Sequence, residues 1–214
     1  MSLPHDMIDD ALGGAIPRVP PPCASDLLPS RAPPKLRFIV YDLEIQEEPE
    51  EAGGWENVRR GGAGVSCVVL YDSYTKRHHT YDEFDLESCI EHMNKADVLV
   101  SFNGIEFDTP ILQTVTGLDI FPRQYDILHE VWSALHSRVK GYRLSDICRR
   151  LGLGEKEFSG ETAVQLYKKG RFGRLFDYCI KDVHLTHQLA RWIWKHGYIL
   201  TPEGEPLELP RVTD

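Results

Sequence analysis

The run Arg37-Phe-Ile-Val-Tyr-Asp-Leu43 constrains the fold more than any other stretch. It is β-branched and aromatic, and it has the length of a buried strand. Further signals of the same kind follow it. Val65–Tyr71 reads as a second strand, and the turn DSYTK returns the chain into a third at Arg77–Tyr81. Leu86, Cys89, Ile90 and Met93 have helical spacing, with Asp85 as the expected N-cap. Asp97–Phe102 is a fourth strand, with a helix starting near Phe107–Asp108. A short fifth strand around Gln124–Ile127 leads into helical segments, including Leu144–Leu151, Thr162–Lys169 and Phe172–Trp194. Strands first, then strands mixed with helices, predict an α/β fold: a five-stranded mixed sheet flanked by helices.

Three segments stand apart from this alternation. Residues 1–34 hold eight of the chain's fourteen prolines and little apolar periodicity. Such a stretch buries too little surface to offset its ordering entropy and is expected to be mobile. The 198–214 tail reads the same way. An acidic, glycine-containing insert at 45–63 is expected to be a surface loop.

The chemistry concentrates in a few acids at element ends. Asp42 and Glu44 are two apart on the first strand, so both carboxylates share one sheet face at about 6.5–7 Å Cα separation. Phe38 and Val40 share that parity, which makes it the covered face. Two carboxylates there raise each other's pKa unless a cation is bound. Asp108 follows strand four in SFNGIEFDTPIL, the usual site position in open α/β sheets. Tyr178 and Asp182 are i and i+4 on the last long helix, on one face. Each element alone has an ordinary explanation: a solvated strand end, an N-cap, a surface pair. All three in one short chain are much less easily explained that way.

Together the three motifs resemble the DEDD 3′→5′ exonucleases of the RNase H-like superfamily, in the subclass with tyrosine in the third motif. VYDLEIQ, FNGIEFDTPIL and YCIKDVHL are similar in wording to the proofreading exonuclease domain of family B DNA polymerases. The histidine subclass would place His where this chain has Asp177. The resemblance spans roughly Lys35 to His196, so the domain is read as 35–197, with an RNase H-like fold. It implies two Mg²⁺ or Mn²⁺ ions on Asp42, Glu44, Asp108 and Asp182, and a water oriented by Tyr178. A phenol of ordinary pKa, about 10, is a poor base at neutral pH. The implied activity is release of nucleoside 5′-monophosphates from a single-stranded or frayed 3′ end. DNA is favoured over RNA because the wording follows proofreading domains. Ile45 and Phe107 are the expected contacts to the terminal nucleotide, and Asn103 is expected to bind the strand or brace its loop. An RNA exonuclease, a structure-selective endonuclease and a non-catalytic nucleic-acid or polymerase-binding module remain the alternatives.

The net charge of −9, taken as a sum, opposes a nucleic-acid partner. Its distribution answers this. Residues 1–34 carry four acids and two bases, 45–63 five and two, and 198–214 four and one. Eight of the nine net charges therefore lie in these three segments, away from the body. The stretch from Arg138 to Arg174 holds ten bases against four acids. Its Lys140, Arg143, Lys168, Lys169 and Arg171 are the expected phosphate contacts. No apolar run reaches the length of a membrane span, and no signal-peptide pattern opens the chain. Five scattered cysteines suit reduced thiols. A cytoplasmic protein acting on nucleic acid, beside replication or repair proteins, is the expectation. Three features have weaker readings. Zinc on Cys179, His184 and His187 is disfavoured for want of a second ligand pair. Trp192 and Trp194 are expected to anchor the last helix. Trp55 in the polar insert is left open between a hydrophobic anchor and a contact to a partner or nucleic acid.

Overall fold

The computed structural model describes residues 36–154 and 162–212. The proline-rich segment at 1–34 lies outside the described residues. In chain order the elements are β1 (Phe38–Ile45), α1 (Trp55–Arg59), β2 (Val65–Asp72), β3 (Arg77–Asp82), α2 (Leu86–Met93), β4 (Val98–Ser101) and α3 (Asp108–Thr116). They continue with β5 (Arg123–Asp126), α4 (Ile127–Leu135), α5 (Leu144–Arg150), α6 (Ala163–Lys168), α7 (Phe172–His196), β6 (Tyr198–Leu200) and β7 (Pro206–Glu208).

Five strands form one mixed sheet in the order β3-β2-β1-β4-β5. The β1–β2 and β2–β3 pairs are antiparallel, whereas β1–β4 and β4–β5 are parallel. The period of two along β1 divides the core between the two faces. Phe38 and Val40 join Cys67, Val69, Val98 and Val100 beneath Ile147, Leu166, Leu175, Cys179 and Val183. Ile39, Tyr41, Leu43 and Ile45 face the other way, against Leu86, Ile90, Met93, Ile111 and Leu112. The sheet is thus covered on both sides, with α5, α6 and α7 on the face that carries Asp42 and Glu44. This is the α/β architecture expected from the sequence. At the end of α7, Trp194 meets Phe38 edge-to-face at 4.8 Å, and Trp192 donates its indole N–H to the Tyr198 carbonyl at 3.0 Å.

Three expectations need correction. The insert is not simply a loop: it forms α1, and Ala52, Val58 and Ala63 are buried in the second core. Gly61, at φ +77°, lies so close to α3 that a Cβ would come within 2.8 Å of a Val115 methyl. The tail is not loosely draped either, since β6 and β7 pair antiparallel, Leu209 is buried, and Tyr125 donates to the Pro210 carbonyl at 2.7 Å. Asp85 does hold the N-cap position of α2, but its side chain makes no capping bond.

A buried ionic cluster ties the start of β1 to the end of β2 and to α2. The Asp72 carboxylate is fully buried. It accepts from Arg37 Nη2 at 2.7 Å, Arg37 Nε at 3.2 Å and the Tyr74 amide at 2.9 Å. His92 Nε2 lies 3.2 Å away, and its Nδ1 shares a hydrogen bond with the Tyr81 hydroxyl at 2.7 Å. Burial alone would raise the Asp72 pKa, but the Arg37 bonds, the Tyr74 amide and His92 outweigh it and hold the group at about 2. A depressed carboxyl pKa stabilises the fold above its unfolded value, 3.8, and that contribution is lost as pH falls toward 2. Urea midpoints of wild type and Asp72→Asn should therefore converge as pH drops from about 4 to about 2. A gap independent of pH over that range would contradict the assignment.

Candidate active site

Asp42 and Glu44 sit at the C-terminal end of β1, half-buried, on the face covered by α7. Register pairs Asp42 with Val69 and Glu44 with Cys67 on β2, and the ladder shifts between Glu44 and Ile45. The insert begins directly beyond that shift. The Gln46 amide closes the insert's base by donating to the Ala63 carbonyl at 3.2 Å.

Asp108 reaches the same place from the first residue of α3. It is 4% exposed, and its Oδ1 accepts from the Leu43 amide at 2.9 Å. That amide lies between Asp42 and Glu44, so the second motif is fixed onto the first by a direct bond. Tyr41 secures the same junction: its hydroxyl shares a 2.7 Å hydrogen bond with Thr109 and donates to Gln124 Oε1 at 3.1 Å. Gly104 allows the preceding loop to lie flat on the sheet. A Cβ there would come within 2.6–2.7 Å of Ser101 and the Tyr41 hydroxyl.

The third motif arrives on α7, where Cys179, between Tyr178 and Asp182, packs onto Asp42. Its thiol lies 3.4 Å from the Asp42 carbonyl and 3.5 Å from Asp42 Oδ2, and it donates to them. Burial, the neighbouring Cys67 and the charges of Asp42 and Glu44 hold that thiol far above its usual pKa, so it stays protonated. Tyr178 is half-buried against the α7-side core, and Asp182 is half-buried one turn on.

Burial raises the Asp108 pKa to about 7, and the charges of Asp126 and Asp182 add to it against the opposing Leu43 amide bond. Asp182 is thus close enough to Asp108 to act on its charge. Ligand atoms of Asp42, Glu44 and Cys179 lie within 4.8 Å of one another. Carboxylate oxygens crowded at this spacing, with one acid pushed toward neutrality, suit a hard divalent cation. A protonated thiol adds nothing to that preference. Asp42 and Glu44 thus form a candidate pair of ligands for a divalent cation.

Asp126 is a residue that the sequence reading missed. It is 1% exposed at the end of β5. Its carboxylate accepts from the amides of Asn103 at 2.8 Å, Ile105 at 3.0 Å, Leu128 at 3.0 Å and His129 at 3.3 Å. It therefore caps α4 and also holds the loop that leads to Asp108. An aspartate just before an apolar helical run was the available signal. Asn103 takes the left-handed conformation, φ 72°, which asparagine tolerates, and its backbone amide is one of those held by Asp126.

The other expected substrate contacts divide. Ile45 is 7% exposed among Leu43 and Val65 in the second core, which leaves it little surface for a nucleotide. Phe107 is half-buried and meets Trp55 edge-to-face at 6.1 Å. Lys140 and Arg143 are exposed beside α5, and Lys169 and Arg171 are exposed at the end of α6. Lys168 is also exposed but is ion-paired with Glu51 of the insert. His187 stacks on Tyr71 at 4.1 Å, whereas His184 reaches Gln188, so neither meets Cys179 at the carboxylates.

The sequence profile of the RNase H superfamily matches residues 62–194. The chain belongs to the RNase H superfamily. The match takes in Asp108, Tyr178 and Asp182, and it begins after β1 and most of the insert. As an RNase H superfamily member, the chain shares its fold with part of a family B DNA polymerase from the hyperthermophilic archaeon Pyrobaculum calidifontis. The TM-score is 0.57 at 17% identity, over 75% of this chain and 25% of that one. The chain thus spans about a quarter of that polymerase. No curated protein matches this RNase H superfamily member in sequence. Among the described residues, no helix is long and apolar enough to cross a membrane.

Proposed function

We propose that this chain is a metal-dependent 3′→5′ exonuclease acting on single-stranded or frayed DNA and releasing nucleoside 5′-monophosphates. The observation that carries the reading is the bond from the Leu43 amide to Asp108 Oδ1, 2.9 Å. It puts the second acidic motif between the two acids of the first, while α7 lays Cys179 on Asp42 and brings Asp182 alongside.

Asp42, Glu44, Asp108 and Asp182 are the proposed holders of two divalent ions, Mg²⁺ or Mn²⁺. When bound, such ions supply an acidified water and relieve charge on the phosphate. The protein's own contribution is placement. The Leu43 amide fixes Asp108, Tyr41 holds the neighbouring Thr109, Cys179 orients the Asp42 carboxylate by donating to it, and Tyr178 would point the water toward the phosphorus. The exposed bases Lys140, Arg143, Lys169 and Arg171 attract the strand's phosphates. DNA is preferred over RNA because the three motifs are worded like those of proofreading domains.

The test uses end-labelled single-stranded DNA, duplex DNA and RNA with Mg²⁺, Mn²⁺ or EDTA. A ladder shortening from the 3′ end of DNA, abolished by EDTA, is the expected result. Faster shortening of RNA would reassign the substrate, and internal cuts would make the enzyme an endonuclease. Binding without cleavage under every metal condition would overturn the hydrolase reading in favour of a binding module.

A further inference from the structure

We propose that Trp55, carried on the insert, is the stacking platform for an unpaired nucleobase near the strand's 3′ end. The inference rests on the exonuclease reading and adds a specificity residue outside the three acidic motifs. Trp55 is the first residue of α1 and is 55% exposed. A tryptophan that served to anchor the insert would be buried. Here the anchoring is done by other groups. Ala52, Val58 and Ala63 fill the second core, and Asn57 donates its side-chain amide to the Ala52 carbonyl at 2.6 Å. Glu51 pairs with Lys168 of α6, and the Thr162 hydroxyl donates to Glu48 at 3.0 Å. The insert is thus fixed to α3 on one side and to α6 on the other, with its base pinned just beyond Glu44.

The indole is half in water and meets the body edge-on at Phe107. Phe107 packs on the second core and is the residue before Asp108, so the chain segment that carries the aromatic pair's inner ring leads directly into the acidic site. A large apolar surface kept in water beside a nucleic-acid site has a π-face on offer, and every nucleobase presents a matching one. Stacking of this kind requires an unpaired base, because a base within a duplex already has its stacking partners. The insert would therefore favour single-stranded and frayed ends over fully paired ones. It would be indifferent to base identity.

Trp55→Ala and Trp55→Phe test this in the full chain, since an exposed side chain can be removed with little effect on the fold. Two substrates are compared: a 5′-labelled single-stranded oligonucleotide and the p-nitrophenyl ester of thymidine 5′-monophosphate, which fills only the reacting position and offers no neighbouring base to stack. For the oligonucleotide, Trp55→Ala should raise KM about tenfold. Its kcat should stay within about twofold, as for a lost binding contact, and Trp55→Phe should restore most of the loss. Hydrolysis of the small ester should not change. An abasic residue placed in turn at each of the last few positions should remove the difference between wild type and Trp55→Ala at one position only. If wild type hydrolyses both substrates and Trp55→Ala matches it on both, the platform alone is refuted. An equal loss on both substrates, or no position-specific abasic effect, also refutes it. If wild type hydrolyses neither, the exonuclease reading is refuted and the platform falls with it.

Discussion

Asp42→Asn is expected to lower the rate of 3′-nucleotide release by about three orders of magnitude, corresponding to about 4 kcal/mol of transition-state stabilisation. The substitution keeps the size of the side chain and an oxygen that can still accept from the Cys179 thiol, 3.5 Å away. What it removes is charge at the centre of the acidic group. Two thermal readouts separate this from damage to the fold. Without added metal, the variant should melt no lower than wild type, because one member of a mutually repelling set is gone. With Mg²⁺ or Mn²⁺ added, wild type should gain stability by mass action and the variant should gain much less. Substantial activity in the variant would remove Asp42 from the chemistry. A large drop in metal-free melting temperature would reassign it to the fold.

Asp126→Ala is expected to cost about 3 kcal/mol of stability, roughly a 10 °C fall in melting temperature for a chain of this size. The carboxylate is 1% exposed and accepts from four amides, those of Asn103, Ile105, Leu128 and His129. Alanine would leave those donors without their acceptor, two in the first turn of α4 and two in the loop ahead of Asp108. Activity should fall as well, because Asp108 would no longer rest on a fixed loop. Asp126→Asn discriminates between causes. Oδ1 alone accepts three of the four bonds and Oδ2 the one from Ile105, so asparagine should recover most of the stability. If asparagine is as destabilising as alanine, the negative charge matters more than the hydrogen bonds. If alanine leaves the melting temperature unchanged, the loop-holding role is wrong.

The two residues also mark how far the sequence could be read. Asp42 and Glu44 were visible because strand period alone sets their common face, and Asp108 because it falls where a strand gives way to a helix. Tyr178 and Asp182 followed from helical spacing. Asp126 stayed hidden because its partners at Asn103 and Ile105 lie more than twenty residues upstream, and no local pattern records that return. The five-residue α1 was missed for a related reason. Its stability comes from Val58 and Ala52 entering the core and from Glu51 and Glu48 reaching α6, not from intrinsic helix preference. The closing hairpin escaped because its strands are three residues long and one contains proline. Pairing there depends on the end of α7 and on the bond from Tyr125 to Pro210.

The docking of α7 across β1 also sets a timetable for the growing chain. A polypeptide leaves the ribosome from its N-terminus, so β1 to β5 emerge well before Phe172–His196. Until α7 arrives, Phe38, Val40 and Val69 have no Leu175, Cys179 or Val183 above them, and the part of the sheet face that α7 covers stays bare. The same event that covers this face brings Tyr178 and Asp182 to Asp42. A nascent chain halted before that point would hold an incomplete set of acids and an open apolar surface attractive to chaperones. Completion of the fold and assembly of the acidic centre are one step.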